Sequence, residues 1–160
     1  GLAAFNEQLA KTFTKQGHQV RIETFSLQYP SFLFPGTSQY SNDPAPLNVH
    51  IKAGINSIDP FNWFKVGLKL KREKPDLIIV RFWIPFLAPC LGTICRIIKS
   101  NKHTKIICLV DNMIPHEKRM GDKLLTSYFA KAVDGFLTMS NKVAEDVKLF
   151  SLNLSTHKNS

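Results

Sequence analysis

Two continuous apolar runs, Leu77-Ile78-Ile79-Val80 and Ile106-Ile107-Cys108-Leu109-Val110, are separated by one helix-length segment and flanked by others, and this alternation leaves the chain few folds to choose from. Apolar residues in an unbroken row, without the in-out alternation of a half-exposed strand, suit strands buried on both faces, as in parallel sheets covered by helices. Strands that alternate with helices build a doubly wound parallel α/β sheet, and its crossovers should be right-handed.

The remaining elements fit that plan. Leu2, Phe5, Leu9 and Phe13 recur at three- and four-residue steps and Gly17 stands where a left-handed helix stop belongs, so the chain opens directly with a helix. His18 to Phe25 reads as a half-buried strand with Val20 and Ile22 inward. Leu27 to Leu47 carries Pro30, Pro35, Pro44, Pro46 and Gly36 and reads as a long irregular loop with aromatic anchors, a type of segment that is often functional. A short strand is expected over Asn48 to Lys52, then a helix from Asp59-Pro60 to about Glu73, since Asp caps well and Pro is accepted in the first turn. After the Leu77 strand, helices are expected at Leu87 to Ser100, Asp122 to Ala132 and Ser140 to Phe150, the last capped by Ser140 or Asn141, with strands at Thr104 to Val110 and Gly135 to Met139. A doubly wound sheet normally begins with a strand and a glycine-rich turn, yet Gly1 is already at that turn, so the first strand is expected upstream.

The 160 residues suffice for one domain with a sizeable core, here expected over 1–150, with 151–160 a polar tail or the start of a linker. At 44% hydrophobic and 21% charged residues the composition is that of a globular protein. The net charge of +9 suits phosphates, acidic membrane surfaces or nucleic acid without choosing among them. Nucleic acid is disfavoured, because the cations are dispersed and no recognition motif accompanies them. Cys90, Cys95 and Cys108 form no Cys-x-x-Cys pair and sit among apolar residues, the pattern of reduced, buried thiols in a cytoplasmic protein, with neither disulfide nor zinc expected. The apolar stretch from Phe82 to Cys95 is broken by Pro85 and Pro89 and falls short of the about 18 residues that a spanning helix needs, so it reads as a buried helix.

Function is sought where the strands end. In an open α/β sheet the loops past the carboxyl ends of the strands face the ligand crevice. Behind Val110 comes Asp111-Asn112-Met113-Ile114-Pro115-His116-Glu117-Lys118-Arg119, in which acids, an amide, a histidine and cations gather as a hydroxyl-rich or phosphorylated ligand would require. Asp111 and Asn112 could equally cap a turn through their own backbone. Arg81-Phe82-Trp83 holds the equivalent place after the preceding strand, where Trp83 is either core or a stacking surface beside Arg81. Several chemistries lack their motifs. There is no Gly-x-Gly-x-x-Gly or phosphate-binding Gly-x-x-x-x-Gly-Lys-Ser/Thr; His116-Glu117 opens a zinc-helix pattern that fails at Met120; and no Gly-x-Ser-x-Gly surrounds Ser140. His18, His50 and His103 are isolated beside strands and read as structural.

Taken in order, Gly1-Leu2-Ala3-Ala4-Phe5-Asn6, Lys15-Gln16-Gly17-His18-Gln19-Val20, Lys74-Pro75-Asp76-Leu77-Ile78-Ile79-Val80-Arg81 and Val110 through Arg119 resemble the amino-terminal, Rossmann-like half of GT-B glycosyltransferases of the family 4, glycogen-synthase-like group. The last segment, with Gly121-Asp122-Lys123-Leu124-Leu125 behind it, is similar to a bacterial subgroup. The resemblance implies a domain that binds the acceptor and faces a second domain that binds a nucleotide sugar. It also implies transfer with retention, no cofactor and no metal, and charge on the leaving diphosphate neutralised by basic residues and a helix amino terminus. Many family members carry a histidine where this chain has Val110. On the residues present it implies His116 at the reacting sugar, Asp111 and Asn112 at sugar or acceptor hydroxyls, Glu117 beside them, Arg119 at phosphate, Arg81 and Trp83 along the acceptor wall, and Gly1 at the truncated first turn.

The reading that follows is the amino-terminal part of a cytoplasmic glycosyltransferase of cell-surface polysaccharide or glycolipid synthesis, inactive without its donor domain. The basic helix from Phe61 to Lys74, with Trp63 and Phe64, either packs on the sheet or rests on an anionic membrane. The competing reading is a non-catalytic Rossmann-like module that binds a phosphorylated ligand or a protein partner.

Overall fold

The computed structural model describes residues 2–30, 49–110 and 121–156. Most of the proline-rich loop, the polar run that begins at Asp111, and the last four residues therefore lie outside the described residues, as does Gly1. The chain divides into two compact units, Gly1–Asp59 and Pro60–Ser160.

In the first unit, helix α1 (Leu2–Lys15) leads to strand β1 (Arg21–Leu27), which pairs in parallel with β2 (His50–Asn56). The helix ends as its sequence predicts. Gly17 takes φ +90°, the His18 N–H reaches back to the Phe13 carbonyl at 3.1 Å, and the Gly17 N–H donates to Thr14 at 3.0 Å. That is the paired-bond stop of a Schellman turn, and the His18 ring lies edge-on to Phe13 at 5.8 Å to seal it. Both strands start and finish later in the chain than the alternation suggests. Their ladder slips at Thr24/Phe25 and again before Leu27, and irregular registers of this kind leave little trace in a sequence.

The second unit holds α2 (Pro60–Glu73), β3 (Leu77–Phe82), a 3-10 turn (Pro85–Leu87) running into α3 (Ala88–Lys99), β4 (Lys105–Val110), α4 (Asp122–Ala130), β5 (Gly135–Thr138) and α5 (Asn141–Thr156). The strands are parallel in the order β3-β4-β5. The chain is thus α/β, and among the described residues every paired strand is parallel, in two sheets. β4, in the middle of its sheet, meets the expectation of a strand buried on both faces: Ile106, Cys108, Leu109 and Val110 are all buried. β3 does not. It is half-buried until Phe82, and Leu77 is 47% exposed, because it lies at the end of the three-stranded sheet and not at its centre.

Of the Phe82–Cys95 stretch, Phe82 closes β3 and only the part from Pro85 becomes the turn and most of α3, whose Ala88, Cys90, Leu91, Ile94, Cys95 and Ile98 are core. α3 packs against α2 on one side and α4 on the other. Glycines make both approaches possible: a Cβ on Gly67 would stand 3.0 Å from Ile97, and one on Gly92 would stand 2.8 Å from the Tyr128 ring. Arg96 then lies over that ring, 3.8 Å from its centre, and donates to the carbonyls of Gly92 and Tyr128, while the Tyr128 hydroxyl meets Thr93 Oγ1 at 2.8 Å. Of the two cap candidates for α5, Ser140 is the one used: its Oγ accepts the Val143 N–H at 3.3 Å. That helix continues past Phe150 to Thr156.

Candidate functional site

The register of the three-stranded sheet sets Phe82, Val110 and Thr138 side by side, so β3, β4 and β5 end level at one carboxyl edge. The ends of β3 and β4 are secured from behind. Phe82 is buried and stacks on Phe129 of α4 with centroids 4.3 Å apart and rings 9° from parallel, while Val110 is fully buried. Chain leaving this edge is therefore held at its point of departure, which is what a ligand-facing loop requires of its scaffold.

Two of the residues singled out in the sequence stand here. Arg81 is the penultimate residue of β3, level with Leu109 of β4, and side-chain alternation along a strand sends it to the face opposite the buried Phe82 ring. Trp83 follows at once, before Pro85 starts the 3-10 turn. Both are half-buried, so neither is a core residue closed off from solvent. The other candidates, Gly1, Asp111, Asn112, His116, Glu117 and Arg119, lie outside the described residues; Asp111 follows Val110 directly in the chain.

The same edge receives a third contribution, which the sequence reading treated as a helix cap alone. β5 ends at Thr138, Met139 and Ser140 are exposed, and α5 begins on this side with the partial positive charge of its amino terminus, where Ser140 Oγ takes the Val143 N–H. The signal was present in Thr138-Met139-Ser140-Asn141, a polar stretch after a short apolar strand, but its position at the same sheet edge as Arg81 and Trp83, with β4 between them, depends on strand order.

The thiols of Cys90 and Cys95 offer no nucleophile, and Cys108 is buried. Burial, with a smaller push from Cys95, drives the Cys90 thiol up to about 12, and burial drives Cys95 to about 12 against the pull of Arg96 and Lys99. Among the described residues no group of three or more His, Cys, Asp or Glu could hold a metal ion, and no helix is long and apolar enough to cross a membrane. What the edge offers is a guanidinium, an indole and a helix amino terminus, groups suited to anionic and hydroxylated ligands.

A family model described as Glycosyltransferase Family 4 matches residues 1–153. The chain belongs to glycosyltransferase family 4. No curated protein and no solved structure matches it significantly. The parallel α/β architecture agrees with the amino-terminal GT-B domain that the sequence motifs resemble.

Proposed function

We propose that this family 4 chain is the acceptor-side domain of a retaining glycosyltransferase of hexosyltransferase type, which moves a sugar from a nucleotide-sugar donor to a glycan or lipid-linked acceptor. The observation that carries the reading is the level end of β3, β4 and β5, with Arg81 and Trp83 at one strand end and the Asp111–Arg119 run attached to the next. In the reaction an acceptor hydroxyl oxygen bonds to the anomeric carbon, the bond from that carbon to the donor phosphate breaks, the hydroxyl proton is released and the nucleoside diphosphate leaves. Trp83 offers an apolar face to a sugar ring and Arg81 a fork for its hydroxyls or for a phosphate. Asp111 and Asn112 bind hydroxyls, His116 meets the reacting sugar with Glu117 beside it, and Arg119 stabilises phosphate.

Donor binding resides in a second domain, no resident metal or cofactor takes part, and these residues alone do not transfer sugar. The setting is cell-surface polysaccharide synthesis in the cytoplasm, in peripheral contact with the inner face of the plasma membrane; the match to a bacterial subgroup is part of the same reading.

Replacement variants in the full-length enzyme test the assignment. Trp83→Ala and Arg81→Ala are expected to raise the acceptor KM, and His116→Ala to lower kcat by about a hundredfold or more. Unchanged kinetics in all three would remove this edge from the mechanism.

A further inference from the structure

Helix α2 is apolar on two opposite sides. Val66, Gly67 and Leu70 are buried and face α3, and Trp63, which the sequence grouped with the membrane-facing aromatics, is half-buried on that same inner side. Phe61, Phe64 and Leu68 follow at three- and four-residue steps on the outer side, exposed by 88%, 54% and 42%. The rotation of the helix is fixed, because Gly67 lies so near Ile97 that no Cβ fits without displacement. The outer stripe cannot turn inward without losing that contact.

Cations border the stripe. Lys65 and Arg72 are exposed along one flank with Lys69 beyond them, and Lys71 lies on the other; the helix has four cations against a single acid, Glu73, which is 3.8 Å from Lys69. This charge rules on the occupant. A second copy of the same helix would bring like charges together, whereas a surface of lipid phosphates would be complementary to the flanks and would take the aromatics between its headgroups.

We propose that the outer face of α2 docks on an anionic lipid surface, with Phe61, Phe64 and Leu68 entering the headgroup layer and Lys65, Lys71 and Arg72 pairing with lipid phosphates. The proposal deepens the peripheral placement given above by naming the surface that makes it, and it requires no sugar transfer.

Sedimentation of the full-length protein with vesicles tests it, comparing phosphatidylcholine alone with phosphatidylcholine in which phosphatidylglycerol replaces part of the lipid. Association is expected with the anionic vesicles only, and it weakens as salt rises. Phe61→Ser with Phe64→Ser should lower the partition coefficient by about tenfold or more, and Lys65→Glu or Arg72→Glu by about fivefold or more each. Helical circular dichroism and transfer to a water-soluble acceptor should stay unchanged in all of them. Failure to bind anionic vesicles overturns the proposal, as does binding that the double serine variant leaves intact. So does concentration-dependent self-association that this variant abolishes while vesicle binding is lacking. A protein that binds vesicles through the stripe but transfers no sugar would overturn the enzymatic reading and leave the docking surface standing.

Discussion

At the amino edge of the β3-β4-β5 sheet the chain is fastened by polar bonds between turns, whereas at the carboxyl edge it is fastened by apolar side chains stacked behind the strand ends. Asp134, just ahead of β5, illustrates the first edge. Its Oδ2 accepts the Ile106 N–H at 2.8 Å, its Oδ1 meets the Lys99 ammonium at 2.9 Å, and its own N–H donates to the Ile106 carbonyl at 2.8 Å. Asn101 does the same between α3 and β4: its Oδ1 accepts from the N–H groups of His103 and Thr104, and its amide donates to Thr104 Oγ1 at 2.8 Å. Phe82, Val110 and Phe129 hold the second edge with no polar contact of their side chains. The amino edge thus spends polar side chains on the fold, while the carboxyl edge rests on buried apolar bulk.

The sharpest way to break this contrast is to remove the apolar support. Phe129→Ala deletes a fully buried ring and leaves a cavity behind Phe82, and the expected loss of stability is about 3–5 kcal/mol, read from the urea midpoint. A loss near that of a surface substitution would mean that the carboxyl edge is held by something other than this stack.

How far these two edges could be read from the sequence differs in the same way. The amino-edge residues looked incidental: His103 read as an isolated histidine, and nothing in Asp134 or Asn101 announced bonds that span 27 to 30 positions of chain, as those of Asp134 to Ile106, His103 to Asp76 and Asn101 to Lys71 do. At the carboxyl edge the apolar run of β4 gave the strand and its burial, and the position of Arg81 and Trp83 followed from it. The equally apolar run of β3 misled, because composition reports that residues are apolar but strand order decides which strand lies in the middle. Ser140 was legible as a cap, a local interaction, but its place at the edge where β3 and β4 also end was not. The double amphipathicity of α2 was half legible: its basic and apolar content was plain, yet only the packing of Gly67 on Ile97 decides that Phe61 and Phe64 point outward while Trp63 does not.

A second, smaller effect sharpens the polar edge. Burial works to raise the Asp134 carboxyl, but the Ile106 N–H bond, the Lys99 ammonium and the charge of Lys105 outweigh it and hold the group below its ordinary range. A carboxyl that is more acidic in the folded state stabilises the fold above its unfolded pKa of about 4, and that contribution disappears as pH falls through the lower folded value. Asp134→Asn keeps an acceptor for Ile106 and removes the charge. At neutral pH it is expected to cost about 1–2 kcal/mol, and the gap to the wild type should narrow in denaturation curves as pH falls below the unfolded value and through the lowered folded one. A gap independent of pH would assign the bond to shape alone.

The smallest effect belongs to the outermost bond of the same edge. His103 Nε2 lies 2.7 Å from Asp76 Oδ1, a distance as short as any in the Asp134 cluster, yet the two side chains are 48% and 95% exposed. Water competes for both groups, and ordering them costs entropy, so proximity here should stabilise far less than it does at Asp134. The neighbouring backbone is fixed without the imidazole, since the His103 N–H is held by Asn101 and the Lys105 N–H donates to the Asp76 carbonyl at 2.9 Å. His103→Ala is therefore expected to lower stability by no more than about 1 kcal/mol, measured as the urea midpoint at low and at high salt. A larger loss would show that the amino edge depends on its exposed rim as much as on Asp134, and the polar fastening would then extend across all the turns that start the sheet.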